Sequence, residues 1–118
     1  MQNVNNLARI LAILMVEQES YSYVDKMSNA PSKELALFYV REALRDFNSL
    51  LKKDKFENQT VKEAIKYVSF EKIEQQIEEL SQIDDRKKLK EVVSLIGAKA
   101  LAMAARFKLR EMEGQSNE

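Results

Sequence analysis

Residues 4–19 have the sequence VNNLARILAILMVEQE, and the architecture of the chain is best understood from this stretch outward. Apolar side chains recur in it at the three- and four-residue spacing of an amphipathic α-helix. Ile10, Ala12, Ile13 and Val16 widen the apolar side nearly around the helix. Such a helix lies either at the centre of a core or against another protein. We therefore predict a helix over about 4–19, with both interpretations open.

The segments that follow predict more helices. The 118 residues include two Gly and one Pro, so strand-and-turn architectures lack their usual turn residues. Residues 20–29 predict a short helix or an irregular turn. Pro31 suits the first turn of a helix that extends to about Leu51. The apolar side of that helix is predicted to consist of Leu35, Phe38, Tyr39, Phe47, Leu50 and Leu51.

The second half predicts a polar loop, 52–58, and then further helix. Thr60 and Glu63 have the spacing of a capping box, and Ser69 is a second candidate cap, so either a kink or a break separates two helical pieces. Asp84 and Asp85 are predicted to cap the last and longest helix, which reaches about Glu113. Its a/d seam consists of Leu89, Val93, Ile96, Ala100, Met103 and Phe107.

These patterns predict an all-α, single-domain bundle of four to five helices over residues 1–113, with a disordered polar tail, 114–118. A chain of this length buries roughly two-thirds of the surface that its unfolded form exposes. The longest unbroken apolar run, 10–16, is far shorter than the ~20 residues of a membrane-spanning helix. The N-terminus also lacks the features of a signal peptide, so we expect a soluble, cytoplasmic protein without membrane contact.

The composition excludes most catalytic chemistry. There is no Cys and no His, which removes thiolate nucleophiles, imidazole bases and zinc-finger ligands. Glu71, Glu74 and Glu78 share one helix side, but Lys72 lies among them and no Glu-x-x-His motif accompanies them, so a solvated surface is favoured over a metal site. We expect no catalytic residue, no metal and no cofactor.

Three basic groups are the candidate nucleic-acid contacts, although 19 basic and 19 acidic side chains leave the chain neutral. Positive charge at the start of the last helix opposes the helix dipole, so local helix energetics do not explain it. The alternative for each group is a solvated surface with ion pairs such as Glu42 with Arg45. The candidate residues are Arg41, Arg45 and Lys52; Arg86, Lys87 and Lys88, with Lys90 beside them; and Lys99, Arg106 and Arg110.

The stretch 97–105, GAKALAMAA, predicts two smooth surfaces on one helix. Gly97, Ala100 and Ala104 form one of them, and Ala98, Ala102 and Ala105 form the other. One surface can pack internally while the other meets a second subunit. The apolar first helix is the other candidate for such a contact. Exposed tyrosines could stack on bases, but at helical spacing Tyr21, Tyr23, Tyr39 and Tyr67 are predicted to be core or boundary residues.

Residues 20–51, SYSYVDKMSNAPSKELALFYVREALRDFNSLL, resemble the small subunit of archaeal type I-A CRISPR effector complexes (Cascade), and the preceding LARILAILMVEQES, 7–20, is similar to the opening of that family. The resemblance implies a non-enzymatic helical protein, present in several copies that line up head to tail beside the backbone and large subunits. Through the complex, such copies help hold target DNA and the displaced strand while guide RNA pairs in the R-loop. Larger members have an extra β-rich portion, which this chain does not predict.

Three other functions stay open. The first is the small subunit of a type III CRISPR complex, and the second is a helical adaptor or dimeric regulator that self-associates through the seam between Leu89 and Phe107. The third is a carboxylate-metal enzyme on the surface 71–79. On the CRISPR interpretation, we expect charge reversal at Arg41 and Arg45, or at residues 86–88, to weaken the R-loop without unfolding the protein.

Overall fold

The computed structural model describes residues 4–116, with side chains described over 4–113, and this part contains six helices and no strand. The helices are α1 (Val4–Gln18), α2 (Ser22–Ser28), α3 (Lys33–Lys53), α4 (Gln59–Ile65), α5 (Phe70–Ser81) and α6 (Arg86–Ser116). The all-α class is confirmed. The count exceeds the predicted four to five because residues 20–29 contain a helix and a real break separates α4 from α5.

Helix α1 lies at the centre of the bundle. All six residues from Ile10 to Met15 are at most 1% exposed, because α3, α4, α5 and α6 all pack against this helix. Each fully buried Leu or Ile side chain contributes roughly 1.5–3 kcal/mol to folding. The core interpretation is therefore correct. The proposal that α1 meets a neighbouring copy is wrong, since its apolar surface is covered by the chain's own helices.

The break between α4 and α5 is held by polar side chains. Ser69 caps α5 as predicted, accepting from the Lys72 N–H at 3.4 Å. Asn6 of α1 holds the same residue from the other side: its Oδ1 accepts from the Ser69 N–H at 3.0 Å, and its Nδ2 donates to the Ser69 carbonyl at 2.8 Å. The predicted Thr60 cap is wrong, because Asn58 caps α4 through its Oδ1 and the Val61 N–H, 3.0 Å apart.

The buried side of α3 differs from the predicted one. Phe47 and Leu50 are buried as expected, but Phe38 is 51% exposed. Counting back from Phe47 in steps of four, three and four residues reaches Ala43, Val40 and Ala36, all of them buried. Two of these positions are alanines, whose small side chains give a weaker hydrophobic signal in the sequence than Phe38 does.

Helix α6 runs the length of the bundle and packs most extensively on α1. The predicted seam is confirmed, with five members buried and Met103 half-buried. Asp85 caps the helix, its Oδ1 accepting from the N–H of Lys87 at 2.9 Å, whereas Asp84 lies near Lys33 instead. The helix continues to Ser116, so residues 114–116 extend it rather than begin the predicted tail. Residues 117–118 lie outside the described part.

Gly97 of α6 packs directly against Val24 of α2. A Cβ added at this glycine would lie 2.6 Å from the Cγ1 of Val24. The β-branched valine has little freedom to move aside. The glycine is therefore explained by packing of α2 against α6.

Replacing Gln76 by Met is expected to raise the free energy of unfolding by about 1–3 kcal/mol. Gln76 is fully buried in α5, and within the described structure neither its Nε2 nor its Oε1 has a hydrogen-bond partner. Methionine has a similar shape and no amide to desolvate. Urea unfolding measures the change, with the exposed Gln18→Met as control. A less stable Gln76→Met protein would mean that the amide is satisfied.

Stability above pH 10 is expected to depend on Tyr23, whose hydroxyl donates to Asp46 of α3. Burial, followed by the hydrogen bond and the charge of Asp46, raises the pKa of Tyr23 to about 12. The folded state favours the neutral phenol. Its contribution to the free energy of unfolding is therefore complete below the unfolded pKa of about 10 and is lost between pH 10 and 12. After allowance for solvent screening, we expect the free energy of unfolding to fall by about 1 kcal/mol over this pH range.

Comparison with Tyr23→Phe isolates this effect, because the two proteins differ only in the Tyr23 hydroxyl. Urea unfolding from pH 8 to 12.5 should show the free-energy difference between wild type and variant shrinking above pH 10. A difference that stays constant to pH 12 would contradict the assignment.

Candidate nucleic-acid interface

Four of the predicted basic residues lie on one side of α6. Lys88, Lys99, Arg106 and Arg110 follow one another at intervals of 11, 7 and 4 residues, which are close to whole turns of a helix. We call these four residues the basic track. It extends for about 33 Å at 1.5 Å per residue. All except Lys99 are exposed, and the Lys99 Nζ donates to the Asn5 Oδ1 at 2.9 Å.

The C-terminal end of the basic track opens into a cleft of about 230 Å³ between α1, α4 and α6. Arg106 and Arg110 line it, and folding adds Arg9 from α1 and Tyr67 from the α4–α5 connection. Sequence reasoning missed Arg9 as a site residue. The available signal was that Arg9 is the one charged residue between positions 4 and 16.

The start of α6 forms a second, larger cleft, of about 470 Å³, with the α2–α3 corner. Arg86, Lys87 and Lys90 line it together with Lys33, a residue that sequence reasoning also missed. Much of this charge is engaged. Arg86 donates to the Pro31 carbonyl, and the Lys33 Nζ donates to the Ser81 carbonyl at 2.8 Å and lies 3.6 Å from a carboxylate oxygen of Asp84.

The structure therefore separates the members of one predicted basic group and places another predicted group away from both clefts. Arg86 and Lys87 line the larger cleft, whereas Lys88 lies on the basic track. Arg41, Arg45 and Lys52 are exposed on α3 and line neither of these two clefts. Arg45 pairs with Glu42, which neutralises part of that group, as the solvated-surface interpretation expects.

A second heptad seam on α6 faces solvent next to the basic track. Its members are spaced 3, 4, 3, 4 and 3 residues apart, and its large residues Leu95, Leu109 and Met112 are 48%, 55% and 64% exposed. Of the two predicted small-residue surfaces, one is buried (Gly97, Ala100 and Ala104) and the other belongs to this seam. We call it the apolar seam: Leu95, Ala98, Ala102, Ala105, Leu109 and Met112.

Neither a membrane span nor a metal-binding cluster is found in the described residues. No helix there is both long enough and apolar enough to cross a bilayer. No three acidic side chains of that part converge in a way that would hold a metal ion.

A family model and an uncharacterised relative each match most of this chain. A family model described as CRISPR-associated protein (Cas_Csa5) matches residues 10–111. An uncharacterised protein from Archaeoglobus fulgidus is 49% identical over 103 residues, which cover 87% of this chain and 89% of that relative. No solved structure matches the chain.

Proposed function

The chain belongs to the Cas_Csa5 family of CRISPR-associated proteins, and we propose that it is the non-catalytic small subunit of a type I-A CRISPR effector complex in the cytoplasm. In this role it stabilises the target strand and the displaced strand of the R-loop. The observation that supports this most is the pairing of two surfaces on α6, a basic track for phosphates and an apolar seam for a protein neighbour.

The nucleic-acid role rests on the charges of α6. Lys and Arg side chains that contact phosphates position a protein on nucleic acid without reading its sequence. That is sufficient in an RNA-guided complex, where base pairing with the guide selects the target. Charges spread over about 33 Å suit an extended strand better than a small ligand.

The apolar seam is the proposed contact with the next copy of the chain or with the backbone and large subunits. Alanines at its centre let another helix approach closely, and leucine and methionine at its ends supply apolar area. Head-to-tail stacking needs two different patches on each copy. The seam is one of them, and α1, being buried, is not the other.

The basic residues beside the apolar seam favour an acidic surface as its partner. Lys99 and Arg106 flank one edge and Lys108 the other. Two copies of α6 packed on each other would bring like charges together, which disfavours a symmetric pair. The exposed side of α5, with Glu71, Glu74 and Glu78 next to the half-exposed Phe70, has the complementary charge. We therefore assign α5 of the next copy as the head-to-tail partner of α6.

Affinity purification of the tagged chain from its native cells tests the proposal. Guide RNA and a Cascade backbone subunit are expected to co-purify, and several copies of the chain per particle are expected by mass. Recovery of a polymerase-like large subunit would indicate a type III complex instead. A closed dimer at low concentration, free of RNA, would favour the alternative function of a helical adaptor or dimeric regulator.

A further inference from the structure

Tyr67 is the most exposed large apolar or aromatic side chain among the described residues, at 72%. The sequence predicts a core or boundary position for it, and that prediction is wrong. Its backbone is nevertheless well anchored: the Tyr67 N–H donates to the Ala64 carbonyl at 3.1 Å, and Arg9 Nη1 lies 3.4 Å from the Tyr67 carbonyl. Two residues later, Asn6 holds Ser69. The ring thus projects from a fixed point.

The surroundings of this ring are strongly basic. The Arg9 guanidinium lies 5.7 Å from the ring centroid, in cation–π geometry, which engages one face of the ring. Arg106 and Arg110, both exposed, line the same cleft. Glu63 is the acidic residue of the lining, and it pairs with Lys66 at 3.2 Å. Three guanidinium groups therefore accompany one open aromatic face.

We infer that this cleft binds an unpaired nucleotide, whose base stacks on the free face of Tyr67 while Arg106 and Arg110 contact the flanking phosphates. The inference rests on the proposed function, in which the subunit meets single strands. An aromatic ring between cationic groups is a stacking platform of the kind that tolerates any base. A base inside a duplex has both faces covered by its neighbours, so paired nucleic acid cannot use the ring in this way.

Tyrosine fluorescence gives a direct measurement, since the chain has four Tyr and no Trp. Titration of the full-length protein with the single strands dT12 and U12 is expected to quench the emission of Tyr67, whereas a 12-base-pair duplex leaves it unchanged. The DNA and RNA strands identify which of the two sources of an unpaired base is preferred. An oligonucleotide with abasic sites should bind without this quenching.

Variants separate stacking from charge. Tyr67→Ala is expected to weaken binding of dT12 at least tenfold, whereas Tyr67→Phe keeps the affinity and loses the quenching signal. Arg106→Gln with Arg110→Gln should lower the slope of log K against log salt by about 1.4, at roughly 0.7 for each single-strand phosphate contact. Lys53→Gln with Lys55→Gln, which makes the same change in net charge on exposed residues elsewhere, serves as the control.

Equal affinity of wild type and Tyr67→Ala for dT12, or equal quenching by the duplex, would overturn the inference. The proposed function is judged separately, by whether the wild-type chain joins an RNA-containing particle. A particle that forms normally while Tyr67→Ala binds dT12 as well as wild type would refute the stacking site alone. Oligonucleotide binding that depends on Tyr67, in a chain that joins no particle, would support the site and refute the subunit role.

Discussion

Changing Lys88, Arg106 and Arg110 to Glu is expected to lower the affinity of the assembled complex for single-stranded DNA about a hundredfold at 0.1 M salt. These three residues are the exposed members of the basic track. If each contacts one phosphate, their loss lowers the magnitude of the salt slope by about 2, which corresponds to two orders of magnitude between 1 M and 0.1 M salt. R-loop lifetime, measured at several salt concentrations, reports the effect.

Folding should not change, because all three side chains project from the outside of α6. Surface substitutions of this kind alter stability by about 0.5 kcal/mol or less. The matched control reverses three other exposed lysines, Lys53, Lys55 and Lys62, and so shifts the net charge equally. If both triple variants shorten the R-loop lifetime to the same degree, net charge and not the basic track is responsible.

Replacing Ala102 and Ala105 together by Glu is expected to abolish incorporation of the chain into the particle. The two alanines are the central members of the apolar seam, where a neighbouring helix would approach most closely. A carboxylate enclosed in such a contact lacks a partner and costs several kcal/mol, enough to exclude the subunit at ordinary concentrations. Co-purification stoichiometry measures the loss.

The isolated variant should still fold, since both positions are exposed and Glu is a good helix former. Thermal unfolding followed by circular dichroism checks this. The control, Ala102→Ser with Ala105→Ser, keeps the side chains small and should assemble normally. Full incorporation of the glutamate variant would show that the seam faces solvent in the complex, and would remove the proposed contact.

Helical periodicity and capping were readable from the chain because both depend on neighbours within a few residues. Ser69 and Asp85 were identified as caps in this way, and the seam from Leu89 to Phe107 was found by its spacing. The prediction that Thr60 caps α4 was wrong because the choice of cap there depends on a contact with a residue distant in sequence. Asn58 is preferred because its Nδ2 also donates to the Phe107 carbonyl at 3.2 Å, a contact across 49 residues that no local pattern contains.

The resemblance recognised in residues 20–51 is confirmed at the level of the family. That success does not extend to individual site residues, because no motif of the chain marks them. The basic groups were chosen by helical spacing, which relates residues on one helix and says nothing about the helix packed against it. Lys33 and Arg9 were missed for this reason, since each joins α6 residues more than 50 positions away.

Composition and short-range spacing were enough to establish an all-α chain, its longest helices and the buried seam of α6, because an α-helix forms through contacts only three or four residues apart. Packing between helices settled everything that concerns surfaces. It buried the apolar residues 10–15 of α1, left one alanine surface of α6 open, and brought Arg9 against Tyr67, 58 positions away. Which side of a helix is covered depends on its neighbours in space, and helical spacing alone is equally consistent with either side.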